Sequence, residues 1–324
     1  MSRFWIIITI CTICVVDAFS QSYSQFSHYF RTMAYYNPAY VGKTGDLNVH
    51  GLFRQQWVGF GDGGGLGSGP RSVFVAADMP WNYKKTQHGL GLVVVSEKVG
   101  LDDDMNISAQ YAYKKKVGKG ILSAGLQIGL MSKSFRGDSI KWGDSEDNQE
   151  EVDVEVVQSD AKGLDFAIGL FYSTDKYYIG FSSTRILEPT LKLTENVERK
   201  VSRGYNLTAG YNIQTRNPLI ELQPSLFVQM TSVMVVGDIT ARAVYNRMFN
   251  GGLGVRMSDR GRFNAVILYL GANIKKFDIG YAYEYPLSAI NKDSWGSHEF
   301  LVTYRLNLNK KQGDKNRHKS IRIL

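Results

Sequence analysis

The chain has 324 residues, a formal net charge of +8, a sequence pI near 9.2 and a mean hydropathy of -0.21. After the first twenty residues no stretch approaches the ~18 to 20 consecutive apolar residues that a transmembrane helix needs, which excludes a bundle of membrane helices. The basic balance does not argue for nucleic acid: Lys310, Lys311, Lys315, Arg317, Lys319 and Arg322 against Asp314 place +5 of the +8 in the carboxyl-terminal tail instead of in a patch across a fold.

At the amino terminus Arg3 precedes an apolar run from Phe4 to Val16, and Ala18-Phe19-Ser20 has the small-residue spacing of a signal-peptidase site. Residues 1–20 are thus expected to be a signal peptide, with the mature chain starting at Gln21. Cys11 and Cys14 both fall in that segment, so no disulfide or cysteine-based metal site is expected after export. Residues 21–46 follow, with Gln25-Phe26, Tyr29-Phe30 and Tyr35-Tyr36 ahead of Asn37-Pro38. This is too aromatic for a disordered linker. It is expected to be an amino-terminal periplasmic segment that packs into or under the next domain, with Pro38 holding Asn37 extended at a rigid corner.

From residue 47 onward the chain alternates, residue by residue, between large apolar and small or polar side chains. Phe277, Ile279, Tyr281, Tyr283 and Tyr285 lie on one face of a strand, and Lys276, Asp278, Gly280, Ala282 and Glu284 on the other. The pattern recurs with Tyr205, Leu207 and Ala209 against Asn206, Thr208 and Gly210. It recurs with Ile239, Ala241 and Ala243 against Asp238, Thr240 and Arg242, and with Phe300, Val302 and Tyr304 against Glu299, Thr303 and Arg305. A soluble sheet can do this once; repetition marks a transmembrane barrel with a lipid face and a polar lumen. Period-2 segments bounded by turn residues are predicted at 47–57, 71–80, 87–96, 105–115, 121–133, 163–173, 176–184, 203–214, 219–230, 237–246, 249–257, 262–273, 276–285 and 297–308. The expected fold is all-β: a transmembrane antiparallel β-barrel of about 14 strands over 47–309, followed by a basic tail over 310–324.

Loop lengths agree with that count, because barrels of this kind keep periplasmic turns short and outer loops long. The connections 58–70, 97–104, 134–162, 185–202 and 286–296 are long and fall on one parity, whereas Thr174-Asp175-Lys176, Thr215-Arg216-Asn217-Pro218 and Asn273-Ile274-Lys275 are short and fall on the other. Both termini are then periplasmic.

Candidate chemistry is sparse. The acidic residues of 134–162, among them Asp144, Glu146, Asp147, Glu150 and Glu151, lack the ligand spacing and turn glycine of a calcium loop. The glycines between Gly61 and Gly69 have no strand-to-helix context for phosphate cradling. The histidines are scattered, and Ser297 and His298 fall on opposite faces of a strand. No catalytic residue, metal ligand or cofactor is expected, and no nucleic-acid partner.

Three blocks go beyond generic barrel physics: Asn37-Pro38-Ala39-Tyr40-Val41-Gly42, then Arg54-Gln55-Gln56-Trp57-Val58-Gly59-Phe60, then Gly89-Leu90-Gly91-Leu92 through Ser96-Glu97-Lys98-Val99-Gly100. In order and spacing they resemble the opening of the PorP/SprF family of type IX secretion membrane proteins. Ala77-Asp78-Met79-Pro80 and Gly296-Ser297-His298-Glu299 are similar to the family's second-strand end and final-strand start. The resemblance implies an outer-membrane component that assists export or surface anchoring of large surface proteins such as gliding adhesins. The partners it implies are other type IX secretion components, the carboxyl-terminal domain of a secreted surface protein, and outer-membrane lipid. Asn37, Pro38, Ala39, Tyr40, Arg54, Gln55, Gln56 and Trp57 are the motif and partner-contact candidates. Arg54 is expected in the lumen, and Trp57 at the outer end of strand one, where an indole suits the membrane interface. A diffusion porin and a lipid-modifying barrel enzyme stay open as alternatives. An open lumen would mark the first; a nucleophile and base meeting at one rim would mark the second.

Overall fold

The computed structural model describes residues 25–61, 68–84, 86–136, 159–194, 197–258 and 262–307. The expected signal peptide, the core of the glycine-rich loop, most of the acidic loop and the basic tail lie outside these residues.

Alternating side chains build the wall strand by strand. The first half consists of β1 (Leu47–Gln55), β2 (Arg71–Tyr83), β3 (Thr86–Val99), β4 (Asp102–Val117), β5 (Gly120–Phe135), β6 (Ser159–Ser173) and β7 (Tyr177–Thr184). A short hairpin of β8 (Thr190–Thr194) and β9 (Val197–Lys200) intervenes. The second half is β10 (Gly204–Tyr211), extended by β11 (Ile213–Gln214), then β12 (Ile220–Thr231), β13 (Val235–Tyr245), β14 (Phe249–Ser258), β15 (Arg262–Ile274), β16 (Phe277–Pro286) and β17 (Ser297–Leu306). Each strand pairs antiparallel with its sequence neighbour in the wall. β10 bridges β7 and β12, and β1 pairs with β17 from Leu47↔Leu306 to Gln55↔His298, closing a barrel of 14 strands. Closure leaves no free sheet edge, as a lipid environment demands.

The two faces follow the alternation. Leu92, Leu126, Leu130, Ile239 and Phe300 are exposed on the outer wall, while Asn206, Thr208, Asp238, Thr240, Asp278 and Glu299 are buried inside. Outward aromatics crowd the short-turn end. Trp81 lies against Tyr83 at 5.9 Å, Tyr177 against Tyr211 at 6.5 Å, and Phe277 against Tyr304 at 5.0 Å. This is the girdle expected at a membrane–water boundary.

Two expectations, for 97–104 and for the end of β1, need correction, and a third, for 185–202, gains detail. Residues 97–104 are not a long loop: β3 and β4 continue through them, pairing Glu97↔Asp104 and Val99↔Asp102 around a turn at 100–101. Asp103 and Asp104 sit opposite Lys98 and Lys133, so cross-strand ion pairs keep this acidic stretch in the sheet. The connection 185–202 carries its own hairpin, β8–β9. It tucks Leu191 into a buried cluster with Met131, Ala161 and Val201 on the inner side of the wall. Finally, β1 ends at Gln55. Trp57 adopts a left-handed backbone with φ 49° in the following turn, where a strand cannot continue.

Candidate functional site

The lumen is occupied by the chain's own residues 25–46. Phe26, Tyr29, Met33, Tyr36, Ala39 and Val41 are buried in one cluster with lumen-facing Phe74, Val93, Phe227, Ile267 and Tyr269. A single helical turn, α1 (Met33–Tyr36), and a 3₁₀ turn over Pro38–Tyr40 give this segment its shape. Neither turn is long enough to be stable alone, so their order comes from the surrounding wall.

The first half of this plug is held by charge. Arg54 is 1% exposed and donates to Glu284 at 2.9 Å, to Glu299 at 3.3 Å and to the Ser27 hydroxyl at 2.8 Å. Glu299 also accepts the backbone N–H of Ser27 at 2.8 Å and of His28 at 2.7 Å, and pairs with the His28 Nδ1 at 2.7 Å. Glu284 is shared with Arg256 at 2.8 Å, and Arg256 grips Asp238 with two bonds of 2.8 and 2.9 Å. The result is a buried chain of alternating sign, Asp238–Arg256–Glu284–Arg54–Glu299, whose last member captures plug amides. Taking such ions out of water is tolerable only when each is paired and hydrogen-bonded. Beside it Arg31 pairs with Asp278, which Arg305 also reaches at 2.7 Å. The guanidinium of Arg242 sits 3.5 Å above the Phe30 ring.

The second half is held by shape. Asn37 is extended, at φ −142° and ψ 110°, as its following proline favours, and its side-chain oxygen accepts the Ala39 N–H at 2.9 Å. Its amide group donates to the Leu170 carbonyl at 3.0 Å and the Phe181 carbonyl at 3.3 Å. That approach requires glycine in the wall. Gly125 and Gly169 are cross-strand partners; a Cβ at Gly125 would lie 2.2 Å from the Ala39 nitrogen, and one at Gly169 would lie 2.0 Å from the Asn37 side-chain oxygen. Ser123 and Gln110 donate to the Ala39 and Ala34 carbonyls at 2.7 Å each, and Ser182 to the Tyr36 carbonyl at 2.6 Å. Tyr40 meets Phe171 edge-on at 5.5 Å.

Five of the eight motif candidates therefore meet inside the barrel: Asn37, Pro38, Ala39 and Tyr40 on the plug, and Arg54 on the wall. The other three gather at the long-loop rim. Gln55 faces away from the lumen and donates to the Gly69 carbonyl at 3.0 Å, the Gln56 N–H donates to Pro70 at 2.8 Å, and the Trp57 N–H reaches the Ser297 hydroxyl at 3.3 Å. Val58 and Trp295 extend the β1–β17 pairing there, with Val58 N–H to Gly296 and Trp295 N–H to Val58, both 2.8 Å. Sequence reasoning missed the ion chain as a unit. Its members were visible as charges on the inward face of alternating strands, but no local signal pairs Arg54 with Glu284 or Arg256 with Asp238. Among the described residues no group of three or more His, Cys, Asp or Glu is arranged to hold a metal ion.

The sequence profile of the type IX secretion system membrane protein PorP/SprF matches residues 18–304. The chain belongs to the PorP/SprF family. No curated protein matches. Among solved structures the barrel is similar to the Ralstonia pickettii toluene transporter TbuX, with 12% identity and a TM-score of 0.50 over 83% of this chain and 92% of that one. It is also similar to the Pseudomonas putida toluene transporter TodX, with 11% identity and a TM-score of 0.46 over 89% and 95%. At this identity the likeness concerns the barrel fold and nothing finer. As a PorP/SprF protein the chain is a β-barrel membrane component of type IX secretion.

Proposed function

We propose that this PorP/SprF barrel resides in the outer membrane with its short turns in the periplasm, and assists the export or surface anchoring of large cell-surface proteins such as gliding adhesins. It does so by binding, not by making or breaking bonds. It holds the cargo's carboxyl-terminal domain at the long-loop rim while other secretion components provide the conduit. The observation carrying this reading is the plug: residues 26–42 bond to the wall from β1 round to β17, so transit through this lumen would require pulling the plug off Glu299, Arg54, Asp78 and the strand carbonyls. That weighs against a diffusion porin. Loops placed by a rigid scaffold are where binding concentrates, and a stable cargo domain would bury ~1,200 to 2,000 Å2, more than one loop offers.

The test is removal of residues 144–155 from the acidic loop, followed by proteomic comparison of surface proteins and co-purification from outer membranes. Display of a particular large adhesin should fall while the barrel assembles and other type IX export continues. Normal display of every substrate after shortening of 134–162, 185–202 and 286–296 together would overturn cargo recognition at this rim.

A further inference from the structure

At the opposite, short-turn end a cavity of about 600 Å3 lies between the plug's exit and the inner faces of β2 to β6. That is within the ~300 to 1,000 Å3 of ligand sites. Four ammonium groups line it: Lys43 from the plug, Lys114 and Lys116 from β4, and Lys119 from the β4–β5 turn. Lys114 is the informative one. It is only 7% exposed, and its Nζ has no hydrogen-bond partner among the described residues. A buried ammonium left unpaired is costly. The Lys43 ammonium lies over ring faces, 4.8 Å from both Phe171 and Tyr178 and 5.4 Å from Tyr40. Asp175 is the single carboxylate among the described lining residues. Asp78 on neighbouring β2 is already taken by the Gly42 amide at 2.8 Å and by Asn48 and His50. The cavity is thus built with an excess of positive charge that the plug and wall do not neutralise.

The occupant follows from sign and shape. The chain's own tail 310–324 is excluded by its net +5 charge, since it would add cations to cations. A lipid headgroup is disfavoured because plug and lumen-facing positions form the lining. The cations run from exposed Lys116 and Lys119 at the rim to buried Lys114 at depth, beside an apolar wall that includes Ile121 and Phe171. A single small anion reaches only part of that run, whereas carboxylates spaced along an extended chain meet it in succession. We propose that this cavity is a receptor for an acidic peptide segment of a protein on the short-turn side of the membrane. It would dock the barrel to a partner at the end opposite the cargo rim, and it does not depend on cargo binding there.

The experiment uses the full-length protein in detergent micelles, with fluorescein-labelled hexaglutamate as probe, hexaglutamine as neutral control, and fluorescence anisotropy as readout. Hexaglutamate should bind and hexaglutamine should not. Lys114→Gln should weaken binding by about tenfold or more, as loss of a desolvated charge partner does. The rim variant Lys116→Gln/Lys119→Gln, which leaves the buried position intact, should weaken it too and decides the matter if Lys114→Gln fails to give the compact, heat-modifiable band of a folded barrel. Equal binding by the rim variant, or displacement of the probe by inorganic phosphate as readily as by unlabelled hexaglutamate, would overturn the proposal.

Discussion

The two halves of the plug are fastened by different physics. Residues 26–31 are held by ions: Glu299 takes two plug amides and His28, Arg54 ties Ser27, and Arg31 meets Asp278. Residues 37–40 are held by fit: neutral hydrogen bonds to strand carbonyls and a close backbone approach over Gly125 and Gly169. Charges hold strongly but fail abruptly when one partner is lost. A packed backbone tolerates loss of a single bond yet has no room for an added methyl. One anchor therefore fails by deletion and the other by addition.

The largest effect is expected at the ionic half. Arg54→Ala leaves Glu299 and Glu284 buried with fewer cations, a change that costs ~3 to 5 kcal/mol for buried pairs. The midpoint temperature at which the compact barrel converts to the unfolded band on electrophoresis should drop sharply. A midpoint like that of the parent protein would mean that Arg256 and His28 suffice, and that the chain of alternating charge is not one unit.

At the packed half, Gly125→Val should cost ~1 to 3 kcal/mol through overpacking and push Pro38–Ala39 off the wall. Its main signature is functional: single-channel conductance in planar bilayers should rise above that of the parent, with β-rich circular dichroism retained. Unchanged conductance would show that fit over Gly125 does not keep the plug seated.

Asn37→Ala removes two bonds to strand carbonyls and the cap on the 3₁₀ turn, so a loss of ~1 to 2 kcal/mol is expected. The electrophoretic midpoint should fall less than for Arg54→Ala, and the loss should be insensitive to salt, unlike a loss of surface charge. Smallest of all is the hairpin at the outer mouth. Lys192 lies 3.3 Å from Glu198, but both side chains are largely exposed. Lys192→Ala should change the midpoint by no more than the ~0 to 1 kcal/mol typical of surface pairs.

Much of this architecture is local and was therefore visible in the sequence. Strand faces repeat every second residue, so Phe277, Ile279 and Tyr285 declare a lipid side and Asp278 and Glu284 a lumen side without knowledge of their neighbours. Fourteen such segments, loop parity and three motif blocks were enough for the barrel and its family. The tertiary structure alone decided what the inward charges do. The bond between the Ser27 amide and Glu299 spans 272 positions, and that between Arg54 and Glu284 spans 230. No periodic signal links such pairs; they arise only when the barrel closes β1 on β17 and brings both ends of the chain around the plug. The same reason explains the glycines opposite Asn37 and Ala39, which look in sequence like any small inward residues and acquire meaning only from the segment pressed against them. It explains Trp57 as well. Its alternation continued β1, but the turn that joins Val58 to Gly296 and Trp295 ended the strand before it.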